Sequence, residues 1–145
     1  MPTDKIRVLM IDDEEVIHRL CRIFSTDDFE ITWVSNYLSA QTALSDSNFG
    51  KNGRLKNDFD AVILDCCLGD VNGPTVLSQD LINHHQGMLC IFSTDDKLIR
   101  NGFISLTQQG VSNIRVFNKN HNGIYEAMLE DIKKFSLGTR KLTSK

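Results

Sequence analysis

The stretch AVILD, residues 61–65, sets four apolar side chains in a row and ends on an acid. A continuous apolar run of that length suits a strand buried on both faces, as in the middle of a parallel sheet. The arrangement recurs on either side. Residues 6–11 (IRVLMI) are rich in branched apolar residues, and Asp12 and Asp13 follow at once. Residues 88–92 (MLCIF) run into Ser93. Two weaker strands are expected at 30–34 (EITWV) and 114–118 (IRVFN).

Helical stripes fill the intervals. Ile17, Leu20, Cys21 and Phe24 make the first. Val76, Leu77, Leu81 and Ile82 make another, with Pro74 suited to its first turn. Leu98, Ile99, Phe103, Ile104 and Leu106 mark a third, and Ile124, Tyr125, Met128, Leu129, Ile132 and Phe135 the clearest of all. A weakly patterned helix is expected over about 36–46. These stripes read as core. Strands alternating with helices imply right-handed βαβ units and a parallel sheet covered on both sides, a three-layer α/β domain. The polar stretch 45–58 reads as a long surface loop, and 137–145 as a polar tail or the start of a linker after a domain spanning 1–136.

The chain's 145 residues fit one domain, and 41% hydrophobic with 24% charged residues matches a soluble globular protein with a real core. A net charge of −3 argues against nucleic acid as a direct partner of this domain, since phosphate backbones call for a basic face. No apolar stretch approaches the roughly 20 residues of a membrane span, and nothing resembles a signal peptide. The four cysteines (Cys21, Cys66, Cys67, Cys90) show no CxxC spacing and are expected to be reduced thiols in a cytoplasmic protein. The histidines fit no metal-ligand pattern, and GxGxxG, GxxxxGK[ST] and HExxH are all absent.

In an open α/β sheet, ligands bind beyond the carboxyl ends of the strands. The reactive residues fall at such ends: Asp12 and Asp13 after the first strand, Asp65 after the third, Ser93 and Thr94 after the fourth, Lys119 after the fifth. With the first and third strands as neighbours, three carboxylates share one cleft. Two like charges about 4 Å apart repel by about 4 kcal/mol at an effective dielectric near 20. A hard divalent cation relieves that repulsion, and an all-oxygen donor set points to Mg²⁺. A carboxylate is also a nucleophile toward a phosphoryl group, with a metal and a lysine to stabilise the charge. Taken singly, each residue has an ordinary structural reading: Asp13 as a helix N-cap, Ser93 as a strand end, Lys119 as a surface lysine, Gly73 as a turn.

The runs VLMIDDEE (8–15), VILDCCLGDVNG (62–73), FST (92–94) and FNK (117–119), in this order, resemble the receiver domains of two-component response regulators. The resemblance covers about residues 5–135. It implies a flavodoxin-like, doubly wound (βα)₅ sheet with strand order 2-1-3-4-5. It also implies a signalling domain that is not an enzyme, accepting phosphate on Asp65 from a histidine kinase or histidine phosphotransfer protein. By the same resemblance Asp13, Asp65 and the carbonyl of Cys67 bind Mg²⁺ directly, with Asp12 acting through water. Ser93 and Lys119 contact the phosphoryl group; Thr94, Cys67 and Asp95 surround it. A downstream protein or output domain would be met through about 96–135, with homodimerisation a further option. The chain departs from the family pattern at Gly69, where proline is usual, and at Thr94, where a smaller residue is usual. It departs again at Asn120, where proline usually follows the lysine, and at Val116, where an aromatic switch residue is usual. Those departures keep open a binding module with this fold that works without phosphate. A Mg²⁺-dependent phosphohydrolase is the third reading, disfavoured because Cys67 stands where such an enzyme would carry its general acid.

Overall fold

The apolar runs become the strands of a parallel sheet. The structure, a computed structural model, describes residues 5–26, 28–46, 59–69, 71–85 and 87–143. Most of the surface loop expected at 45–58, from residue 47 on, lies outside the described residues, as do 144–145. The elements run β1 (Ile6–Ile11), α1 (Glu15–Phe24), β2 (Phe29–Val34), α2 (Tyr37–Asp46), β3 (Ala61–Asp65), β4 (Cys67–Leu68), β5 (Val71–Asn72), α3 (Gly73–Val76), α4 (Ser78–His84), β6 (Met88–Ser93), α5 (Asp96–Gln108), β7 (Ile114–Asn118) and α6 (Ile124–Thr143).

The five-stranded sheet has the order β2-β1-β3-β6-β7. Without the short β4–β5 hairpin this is the 2-1-3-4-5 order of the flavodoxin-like fold, and every pairing within it is parallel. Alternation along each strand splits the core in two. Val8 and Met10 of β1, Ala61 and Ile63 of β3, and Cys90 and Phe92 of β6 face α1 and α6, meeting Ile17, Met128 and Ile132. Leu9, Ile11, Val62, Leu64, Leu89 and Ile91 face the other way, against Ala40, Leu44, Leu77, Leu81, Ile99 and Leu106. The three central strands are buried on both faces, which is why their sequences show no polar alternation.

Several details differ from the periodic reading. The stripe over 76–82 is carried by two short helices broken at Leu77, whose ψ of 2° leaves the helical range. Asn72 caps the first of them by accepting from the Thr75 N–H, and Ile82 is exposed. In α5 the buried residues are Ile99, Gly102 and Leu106, while Phe103 and Ile104 face outward. Gly102 holds that register because Pro74 packs onto it: a Cβ there would lie 3.0 Å from the Pro74 Cγ. The hairpin β4–β5 was not expected, since two-residue strands carry no period. Finally, α6 runs on to Thr143, through residues expected to be a tail. Its buried face continues from Ile132 to Ser136, four residues on, and nothing between forces the helix to stop.

Candidate functional site

Parallel pairing of β1, β3 and β6 brings three strand ends to one edge of the sheet, and β7 adds a fourth. Asp12 leaves β1 with its N–H bonded to the Val34 carbonyl, 3.1 Å away, so the first residue past the strand is still fixed by the sheet. Its Oδ1 accepts the N–H of Glu14 at 2.9 Å, turning the chain into α1. Asp13, read as a possible cap, does not cap that helix: the N-cap residue is Glu14, with no side-chain cap bond. The Asp12 carbonyl takes a 2.8 Å bond from the Trp33 indole Nε1–H, and the Trp33 ring stacks on His18 at 4.3 Å.

Lys119 follows β7 and is anchored by its N–H on the Ser93 carbonyl, 2.8 Å away. Its ammonium reaches back over the Phe92 ring, 5.4 Å from the centroid, into the acids. There Nζ lies 2.6 Å from Glu14, 2.7 Å from Asp12 and 3.4 Å from Asp65. The Lys119, Asp12 and Asp65 side chains are only 8%, 1% and 7% exposed, whereas Glu14 stands at the rim with 51%. One carboxylate oxygen from each of Asp12, Glu14 and Asp65 falls within 4.8 Å of the others.

This enclosure moves protons. Burial, and then the charge of Asp12, lifts the Asp65 carboxyl from 3.8 to about 6 against the pull of Lys119. Burial likewise raises Asp12, opposed by its bonds from Lys119 and the Glu14 N–H. Burial alone would lower the Lys119 ammonium; bonds to Asp12 and Glu14 overcome it and hold the ammonium above its ordinary value. The Cys66 thiol, buried beside Asp65, is pushed up to about 12 and stays protonated.

The remaining residues singled out from the sequence sit around this cluster in different ways. Asp13 is exposed, with its Oδ2 accepting the Gly69 N–H at 2.9 Å. Gly69 has a φ of 63°, so the glycine that replaces the usual proline both adopts a left-handed conformation and supplies a donor that proline lacks. Cys67 is exposed, and its N–H lies 3.3 Å from the Asp65 Oδ1. Ser93 is buried, with its Oγ accepting from the Asp95 N–H at 3.3 Å. Thr94 is exposed. Asp95 caps α5, accepting from the N–H groups of Lys97 and Leu98. Val116 faces outward at 47% exposure while Phe117 packs against the α1–α6 side of the core. Gly73 does more than turn the chain: a Cβ on it would fall 2.3 Å from the Asp65 carbonyl oxygen, so only glycine permits this approach behind the carboxylate.

Glu14 was missed by sequence reasoning. Its only signal was an acid at the start of a helix, which is ordinary there. Its role depends on a lysine 105 residues away.

The cluster can do two things chemically. Its hard oxygen donors suit a small divalent cation better than a soft metal. The partly enclosed Asp65 carboxylate beside a fixed ammonium is also a candidate nucleophile.

No protein-family model matches the chain, and no curated protein matches it. Solved structures do share its fold. A CheY-like response regulator receiver domain protein from Methanospirillum hungatei JF-1 superposes with a TM-score of 0.69 at 16% identity, over 95% of this chain and 98% of that one. The signal receiver domain of an HD domain-containing protein from Pseudomonas fluorescens Pf-5 gives 0.66 at 18% identity, over 96% and 94%. A structure described as adenylate cyclase from Rhodopirellula baltica gives 0.69 at 15% identity, over 95% of each chain. The chain has the flavodoxin-like fold of CheY-like receiver domains. No described helix is long and apolar enough to cross a membrane.

Proposed function

We propose that this protein is a phosphoacceptor receiver domain in which Asp65 takes a phosphoryl group from a phosphohistidine of a kinase or phosphotransfer protein. The observation that carries this reading is the placement of Lys119 among Asp12, Glu14 and Asp65 at the carboxyl edge of the sheet. A buried lysine tied to several acids and shared with a central-strand carboxylate costs more than a surface pair, and a phosphoryl site gives it a use.

In the proposed step a carboxylate oxygen of Asp65 forms a bond to phosphorus as the P–N bond to the donor imidazole breaks, and that imidazole nitrogen leaves with the electron pair and takes a proton. Asp65 must be ionised to attack, and a carboxyl near 6 is mostly ionised at neutral pH. Lys119 pairs with the phosphoryl oxygens, and the Ser93 hydroxyl donates to one of them. Mg²⁺ would be held by Asp13, Asp65 and the Cys67 carbonyl, with Asp12 acting through water, and would neutralise charge on the transferring group. The acids that cluster in the structure are Asp12, Glu14 and Asp65, an all-oxygen set that suits such an ion, while Asp13 Oδ2 accepts the Gly69 N–H. Thr94, Cys67 and Asp95 flank the product and would tune its lifetime. Phosphorylation would then shift a two-state equilibrium read by a downstream protein or output domain, through about residues 96–135. The protein would act inside the cell as a signalling domain and not as a turnover enzyme.

The experiment is intact mass after incubation with acetyl phosphate and Mg²⁺, with Asp65→Asn alongside. One added phosphate on the wild type, missing in the variant, is the expected outcome. Metal binding without any phosphate would favour a phosphate-independent binding module instead, and steady release of phosphate from a monoester would favour a hydrolase.

A further inference from the structure

Within the cleft, the bond between Lys119 and Glu14 has no part in the phosphoryl transfer just described. We propose that Glu14 is a positioning residue that holds the Lys119 ammonium on the Asp12 side of the cleft and competes for it with the phosphoryl group on Asp65; this rests on the phosphoacceptor reading above.

The distances carry the argument. Lys119 Nζ is 2.6 Å from Glu14 and 2.7 Å from Asp12, but 3.4 Å from Asp65. The ammonium is therefore drawn away from the residue it would serve. Little else in Lys119 is free to change: its backbone N–H is fixed on Ser93, and its side chain crosses Phe92. Only the end of the side chain can swing between the acids. Asp12 itself holds Glu14 in place, since its Oδ1 accepts the Glu14 N–H.

The two nearer partners of the ammonium are unequal. Asp12 is 1% exposed and would be left as an uncompensated buried charge without a cation. Glu14 is 51% exposed, and water can replace its lysine cheaply. A phosphoryl group on Asp65 brings close to two negative charges and strong acceptor oxygens. Drawing Lys119 toward them breaks the Glu14 contact first. Glu14 thus sets how readily the lysine is recruited, which tunes the phosphorylated state from outside the transfer chemistry.

Two variants of the full chain separate this contact from general charge. Glu14→Gln removes the charge at constant shape; Glu14→Asp keeps the charge and shortens the reach. In metal-free protein, trace acylation of Lys119 followed by peptide mass should run roughly two- to fivefold faster in both variants, the range set by losing an ion pair with one exposed member. At saturating Mg²⁺, beryllofluoride, a phosphoryl mimic, should bind both roughly two- to fivefold more tightly than it binds the wild type. Unchanged acylation overturns the proposal, and so does unchanged or weaker beryllofluoride binding. Tightening in Glu14→Gln alone also overturns it, because that pattern marks long-range repulsion and not a contact. Wild type that takes neither phosphate nor beryllofluoride defeats the receiver reading and the competition with it. Wild type that takes both, with variants indistinguishable from it, defeats only the role of Glu14.

Discussion

Asp12 and Asp65 are both buried and share one ammonium, so replacing Lys119 by methionine strips two carboxylates of their cation at once. The variant should lose about 3 kcal/mol at pH 7.5, the scale of breaking a buried ion pair. Because Asp65 already sits near 6 in the folded protein against 3.8 ordinarily, the cost of holding it charged is present above that window and vanishes below it. The deficit should therefore shrink as urea unfolding is repeated from pH 7.5 down to 5, or when Mg²⁺ is added. Asp65→Asn has the opposite sign. It should gain about 1 kcal/mol at pH 7.5, discounted for solvent reaching the cleft, and nothing by pH 4. Gly69 bears on the same edge of the sheet. Its φ of 63° makes alanine there cost about 1 kcal/mol in thermal unfolding. Proline, which the family resemblance would have placed there, should cost more, since it also removes the donor to Asp13. Asp12, Asp65 and Lys119, which the structure brings together, were legible as candidates because they stand at strand ends. Glu14 was not, because a side chain's partner across the fold leaves no local pattern.

At the scale of elements, the buried strands were the easiest to read. AVIL and MLCI admit no other comfortable place than the middle of a sheet. The helices were legible in existence but not in phase. The five apolar residues of α5 spread over more than one face, and the choice between Phe103 and Gly102 as the buried residue was made by Pro74 on another helix. Ser136 extends the packed face of α6 in a way that a search for apolar residues passes over. Asp95 presents a checkable case. It was assigned to the phosphoryl surroundings by resemblance, and in the structure it accepts from two N–H groups at the start of α5. Asp95→Ala should cost about 1 kcal/mol as a lost cap. Amide exchange at Lys97 and Leu98 should quicken, a change that loss of a residue flanking the phosphate would not by itself produce.

Across the whole molecule, the chemistry sits at one edge of the sheet and a separate titrating group at the other. His85 precedes β6, its Nε2 2.8 Å from the Met88 carbonyl, and burial lowers it from 6.5 to about 4. A base whose folded value is depressed stabilises the fold above its unfolded value, and that contribution is lost as pH falls from 6.5 toward 4. Relative to His85→Gln, the wild type should lose on the order of 2–3 kcal/mol across that interval, from a shift converted at about 1.4 kcal/mol per pH unit. Denaturation midpoints of both proteins at pH 7 and pH 4.5 measure it. Right-handed parallel crossovers follow from connection rules once the strands are known, but the sheet order itself was legible only through the resemblance to receiver domains.

Trp33 is the chain's one tryptophan, and its indole N–H rests on the carbonyl of Asp12. The residue whose side chain anchors Lys119 is thus wired through its own backbone to an intrinsic fluorophore. Any rearrangement of Asp12, by cation or by phosphoryl group, changes the hydrogen bond that the excited indole feels. The imidazole of His18 stacks on the same indole, ring centroids 4.3 Å apart, so a ring contact as well as this hydrogen bond holds the fluorophore. Emission from the unlabelled protein can therefore follow events in the acidic cleft in real time.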